Sequence, residues 1–138
     1  MEETVRAVGH ENVRASHAST FELTTDDWLT PAGDCILGIE ADRAPADFDA
    51  AFVEACQRET ATITATIAVD GRTATVTGRG HPGLTFADDR SLVGRTSDHV
   101  DDRTVMIDAD AAAGDLDRAL VAALADGAAV TLTLSVEA

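Results

Sequence analysis

Residues 34–69, DCILGIEADRAPADFDAAFVEACQRETATITATIAV, decide the fold. They read as a strand (CILGIEA), an amphipathic helix (DFDAAFVEACQRE) and a second strand (ATITATIAV). The same order returns, diverged, in residues 102–136 as TVMIDA, DLDRALVAALADG and AAVTLTLSV. Ile39-Glu40-Ala41-Asp42 matches Ile107-Asp108-Ala109-Asp110. The stripe Phe48, Phe52, Cys56 matches Leu116, Leu120, Leu124, an i, i+4, i+8 spacing that marks one buried helical face. Asp47 and Asp115 stand before each stripe, where a carboxylate can accept the free amide hydrogens of a first turn. In the strands that follow, Ile63, Ala65, Ile67, Val69 and Val130, Leu132, Leu134, Val136 form the inward sets. The threonines between them face out.

Upstream the echo is looser: Val5, Gly9, His10 against Val76, Gly80, His81, and Thr24-Thr25-Asp26 against Thr96-Ser97-Asp98. Glu3–Val8 reads as a first strand, Val13–Thr24 as a second, and Thr24–Asp27 as a turn that tucks Trp28 and Leu29 inward. Asp70-Gly71 suits the type I′ turn of a tight hairpin and joins the halves. Arg72–Thr77, Ser91–Thr96 and Thr104–Ala109 are the strands of the second half, and Gly127 ends its helix. Each half is thus β-β-β-α-β, residues 1–70 and 71–138 of a single domain spanning 1–138. The fold class is α+β, and the two halves suggest a pseudo-twofold β-barrel with two helices. The alternative is a two-layer sandwich with both helices on one face of an open antiparallel sheet.

The chain of 138 residues carries 25 acidic side chains against 10 basic ones, a net charge of −15. Every basic residue is Arg; Lys is absent. Such a chain repels itself in dilute buffer, and molar salt shortens the screening length to about 3 Å. The composition fits a cytoplasmic protein adapted to high salt. It argues against a broad electrostatic grip on nucleic acid, which needs clustered cations. No stretch has membrane-spanning length or the form of a signal segment. Cys35 on an apolar strand and Cys56 on the helix stripe read as core residues, since no CxxC is present.

The chemistry-bearing residues fall in loops: His10, Asn12, Arg14 and His17 in GHENVRASH; Thr30 and Asp34 in LTPAGD; Arg79 and His81 in GRGHPG; His99, Asp102 and Arg103 in DHVDDR. None has the spacing of a zinc or calcium site, a phosphate-binding Gly-rich loop or a nucleophile elbow. If the halves close about a twofold axis, His10 and His81 occupy equivalent loops. They would then flank one cleft as general acid and base, with Asp34 beside them, or as two metal ligands. Against this, each imidazole can simply hold backbone at a strand end. Asp34 likewise has a structural reading, a carboxylate accepting amide hydrogens in a tight turn. Asn12, Arg14, His17, Thr30, Arg79 and Arg103 are candidates for binding an anionic ligand, the arginines through bidentate geometry.

LTPAGDCIL resembles the Gly-Asp turn before a strand in cradle-loop barrels. Over nearly its whole length the chain resembles the archaeal family known as domain of unknown function 371. That resemblance rests on GHENVRASHASTFELT, LTPAGDCILGIEAD, GRGHPGLTF and DRTVMIDADAAAGDLDRALVAAL. It implies an archaeal cytosolic setting and brings no reaction or cofactor with it. Two functions follow as expectations: a small-molecule site, enzymatic or not, in a cleft between the halves, or a non-catalytic nucleic-acid or protein interaction module.

Overall fold

The inward sets of the two long strands meet as predicted. A computed structural model describes residues 1–137. Its strands are β1 (Glu2–Val8), β2 (Thr20–Thr24), β3 (Ile36–Gly38), β4 (Thr62–Val69), β5 (Arg72–Arg79), β6 (Ser91–Arg95), β7 (Thr104–Met106) and β8 (Ala129–Glu137). Its helices are α1 (Ala50–Cys56) and α2 (Arg118–Ala125), each preceded by a single tight turn, Pro45–Asp47 and Ala113–Asp115. Ile63, Ala65, Ile67 and Val69 on β4 and their counterparts on β8 are buried, and the threonines between them are not. Asp70 and Gly71 take positive φ, 50° and 77°, as the type I′ hairpin requires.

The strands form two four-stranded sheets, β1-β8-β4-β5 and β3-β2-β6-β7. The first is wholly antiparallel; the second pairs β2 with β6 antiparallel but β2 with β3 and β6 with β7 in parallel. Both orders are unchanged when β1 is exchanged with β5, β2 with β6, β3 with β7 and β4 with β8. The registers obey the same exchange. The irregularity between Glu22 and Leu23 is answered between Val93 and Gly94, and the Val8–Ile39 bridge by Arg79–Ile107. Glu40 and Asp108, matched by sequence, share a left-handed backbone with φ of 54° and 50°.

The predicted barrel needs correction. The two sheets do not close into one continuous ladder: where their edges meet, pairing falls to the single bridges at Val8–Ile39 and Arg79–Ile107. The alternative, both helices on one face of an open antiparallel sheet, is not found either: there are two sheets, and one is partly parallel. Helices and sheets share one apolar core, with Phe48 packed on Phe52 and Phe86 at ring separations of 5.8 Å.

Local expectations also shift. Val13–Ser19 is a loop, because its outward groups bond other loops: the amide hydrogens of Ser16 and His17 go to the Asp34 carbonyl. Asp47 and Asp115 cap backwards rather than forwards, each accepting the amide hydrogen three residues earlier, of Ala44 and Ala112. Thr25, not Thr24, is the counterpart of Thr96, since their amide hydrogens fill equivalent places on Arg90 and Ser19. Leu29 is buried as expected, but Trp28 is 55% exposed.

Candidate functional site

Gly9 and Gly80 cross the ends of the two helices so closely that a Cβ would lie 2.0 Å from the Leu124 carbonyl oxygen and 2.2 Å from that of Cys56. The histidines after them are held by backbone. Asn12 N–H donates to His10 Nδ1 at 2.9 Å, and Gly83 N–H donates to His81 Nδ1 at 2.8 Å. Equivalent as they are, the two do not share a cleft. Gly9 bonds Ala128 just before β8, and Gly80 bonds Ala61 just before β4. Those strands run antiparallel, so the two loops sit at opposite ends of the sheet, roughly 20–25 Å apart at 3.3 Å per residue. The exchange symmetry that makes the histidines counterparts is what separates them.

The other predicted residues have local partners. Asn12 donates its side-chain amide to the Leu29 carbonyl, and Arg14 to that of Glu11. His17 Nδ1 accepts the amide hydrogens of Ser19 and Thr20. Asp34 fixes its turn through its main-chain carbonyl instead of its carboxylate, and Thr30 is exposed. Arg79 pairs with Asp108. Both cysteines are free, and burial pushes their thiols up, to about 11 for Cys35 and about 12 for Cys56, which leaves them protonated at neutral pH. Among the described residues no group of His, Cys, Asp and Glu is arranged to hold a metal ion.

Arg103 stands apart. It lines a groove of about 330 Å³ over the outer side of the second sheet, on the line where the halves meet. The first half supplies Glu22, Asp26, Trp28 and Ile36; the second supplies Asp88, Arg90, Ser91 and Arg103. Trp28 is the only tryptophan in the chain. Arg90 grips Asp26 with two bonds, Nε to Oδ1 at 2.8 Å and Nη2 to Oδ2 at 2.7 Å. The hydrogen bond from Arg90 lowers the Asp26 carboxyl below its ordinary range, against the opposing effect of burial. Cys35 donates its thiol hydrogen to Glu22 at 3.4 Å beneath the groove.

Beside the groove, Asp101 anchors the loop that carries Arg103. It accepts the Thr104 hydroxyl at 2.8 Å, the Arg103 amide hydrogen at 3.0 Å and Arg95 Nη2 at 2.9 Å. Burial raises its carboxyl, but these bonds and the charges of Arg95 and Arg103 outweigh that and bring it to about 2. The Arg103 guanidinium is only loosely tied, 3.6 Å from Asp101, and 44% exposed. It is therefore free to meet a ligand. A larger hollow, about 520 Å³, lies between the hairpin tip and α2; its floor is Ala119, Ala122 and Ala123. It presents no aromatic ring.

Trp28, Arg90, Asp26 and Glu22 were not among the residues singled out by sequence. The only signal was a lone Trp in the polar segment TTDDWLTPAG, and a helical turn reads it as buried. Arg90 gave no signal because its partner, Asp26, lies 64 residues away in the chain.

Among the described residues no helix is long and apolar enough to cross a membrane. Residues 5–137 match the family model described as a domain of unknown function, number 371. The chain is also 40% identical, over 127 residues, to an uncharacterized protein of the archaeon Methanocaldococcus jannaschii. That alignment covers 92% of this chain and 93% of the relative. A match of that length, over both halves and all eight strands, places the chain in the archaeal family of domain of unknown function 371.

Proposed function

We propose that this protein binds a small anionic ligand carrying a planar ring, in the groove between its two halves. The observation that carries the reading is the shared lining: Trp28 from one half and Arg103 from the other border the same 330 Å³ space. An exposed indole offers a stacking face, and a loosely held guanidinium offers a bidentate anion contact. Arg90, neutralised by Asp26, shapes the wall. Burial on the groove's scale suits a ligand of one or two rings.

This reading keeps a site between the halves and keeps Arg103 in it. It gives His10, His81, Asn12 and Arg79 structural work, supported by the backbone and ion-pair partners named above. A general acid and base are not part of it. Binding comes first, and any reaction would depend on groups brought by the ligand.

The reading extends to origin and setting. The paired registers support descent of the two halves from one duplicated unit related to cradle-loop barrels. The Lys-free acidic composition supports a salt-rich cytoplasm.

Because Trp28 is the only tryptophan, its fluorescence reports the groove directly. Titration with adenosine monophosphate as a ring-bearing probe, and with inorganic phosphate as a ringless one, should quench it, the first at lower concentration. Arg103→Ala should weaken both at least tenfold. Unchanged emission with every ring-bearing anion tested would sink the proposal.

A further inference from the structure

The two edge strands of the first sheet, β1 and β5, are counterparts but are not equally protected. In each, alternate residues turn their backbone N–H and C=O outward. On β1 the Val8 groups are bridged to Ile39. Arg6 donates its amide hydrogen to the Asp42 carboxylate and accepts that of Asp42, and the Thr4 carbonyl accepts a hydrogen bond from Arg43 at 3.0 Å. On β5 the corresponding protection stops short. Arg79 is bridged to Ile107, and Thr77 exchanges the same two bonds with Asp110. The counterpart of Arg43 is Ala111, which has no donor to offer. Among the described residues nothing bonds the outward backbone groups of Thr73 and Thr75, and both residues are exposed.

An open strand edge is a template for another strand. Charge says which one. From Gly71 to Ala87 the chain has no acidic residue, while it carries Arg72 and Arg79. In a protein of net charge −15 this is where a second copy can approach with least repulsion. The β1 edge, with Glu2 and Glu3, would attract those arginines, but Arg43 and Asp42 already occupy it.

We infer that β5 is a self-pairing edge, which joins two copies of this chain across a twofold axis near Ala74 into one eight-stranded sheet. Thr73 of each copy then faces Thr75 of the other, and both pairs exchange N–H···O bonds. Arg72 of each copy falls opposite Val76 of the other, one residue from the Thr77 amide that Asp110 holds. Arg72, exposed beside Asp70 and Asp126 in the single chain, can then turn its guanidinium to the second copy's Asp110. Gly71, with open space around its Cα, lets the hairpin tip pass. The pairing is isologous and closed, so it stops at two.

The mass of the full chain in molar KCl, read by light scattering across a dilution series, tests this independently of the groove. The wild type should be a dimer at tens of micromolar. Thr75→Pro removes only an outward N–H and should give a monomer with the wild-type melting temperature. If that variant melts early, Arg72→Glu decides: its dissociation constant should rise at least tenfold. A monomeric wild type, an assembly larger than two, or a dimer that survives Arg72→Glu with unchanged affinity would each overturn the inference.

Discussion

Glu22 and Val93 are partners twice over: they pair across the central strands of the second sheet, and each occupies the other's place in the opposite half. Exchanging the halves therefore maps this pair onto itself and sets a carboxylate against an isopropyl group. The groove over this pair is bordered by both halves, yet its floor is chemically lopsided. Glu22 lines it, while Val93 is only 2% exposed. A carboxylate there opposes any bound anion. Glu22→Gln should accordingly tighten adenosine monophosphate binding, by about 3- to 10-fold for one unscreened like charge partly facing solvent. Equal or weaker affinity in the Trp28 titration would show that Glu22 faces the ligand as a hydrogen-bond acceptor instead.

Asp101 should make stability fall in acid. Its folded carboxyl titrates at about 2 against an ordinary 3.8, so the folded state binds fewer protons than the unfolded state between those values. Its contribution is complete above about pH 4 and is lost as pH drops through about 2. With a third of the side chain exposed, solvent screening reduces that contribution to on the order of 1–2 kcal/mol. Asp101→Asn should lower stability by that much at pH 7 in denaturant titrations, with the gap to wild type closing near pH 2. A gap that stayed constant with pH would mean that packing, not charge, is what the substitution removes.

Gly9 and Gly80 should be equally intolerant of a methyl group. In both, the added Cβ would meet a main-chain carbonyl at 2.0–2.2 Å, and a backbone atom in a helix end cannot swing aside. Gly9→Ala and Gly80→Ala should each cost about 3 kcal/mol or more, by chemical denaturation, as overpacking against backbone does. Gly71→Ala provides the contrast. Nothing lies within 4 Å of its Cβ, and its cost of about 1 kcal/mol comes from the positive φ alone.

These glycines show what the sequence could and could not disclose. The periodicities of residues 48–56, 62–69 and 129–136 carry their own explanation, because one face of each element is buried along its whole length. The Asp70-Gly71 turn is equally local. Gly9-His10 and Gly80-His81 were visible as a repeated pair, but the reason for the pair, a strand end crossing a helix end, lies in Leu124, 115 positions from Gly9, and Cys56, 24 positions from Gly80. Loop residues that repeat were therefore read as flanking one cleft, whereas each imidazole accepts a backbone amide hydrogen at its own end of the sheet. The groove was hidden for a related reason. It is assembled from Glu22, Trp28, Arg90 and Arg103, whose neighbourhood exists only once β2 pairs with β6. The symmetry that predicts counterparts cannot by itself say which of them meet at the axis and which are driven to opposite ends.

Salt should stabilise the fold. With 25 acidic and 10 basic residues, only a few of the carboxylates have an arginine in contact, among them Glu3, Asp26, Asp101 and Asp108. The remaining negative charge is spread over the surface, and its self-repulsion is screened as the Debye length shrinks from about 10 Å at 0.1 M to about 3 Å at 1 M. The melting temperature should climb between dilute buffer and several molar KCl. A flat dependence would show that the acidic surface is already balanced by its own arginines.

The Glu3–Arg43 pair should be the costliest ion pair to break. Glu3 is 8% exposed and uses its second oxygen to accept the Asp49 amide hydrogen at 3.0 Å, tying β1 to the start of α1. Arg43 also bonds the Thr4 and Asp47 carbonyls and lies 5.2 Å from the Phe48 ring centre. Arg43→Met keeps much of the apolar contact but strands the carboxylate and the Thr4 carbonyl, at a cost of about 3 kcal/mol. Adding Glu3→Leu should recover part of that loss, because an uncompensated buried charge is worse than none. The double variant melting below Arg43→Met would mean that the Glu3 bond to Asp49, rather than its ion pair, is what holds the helix in place.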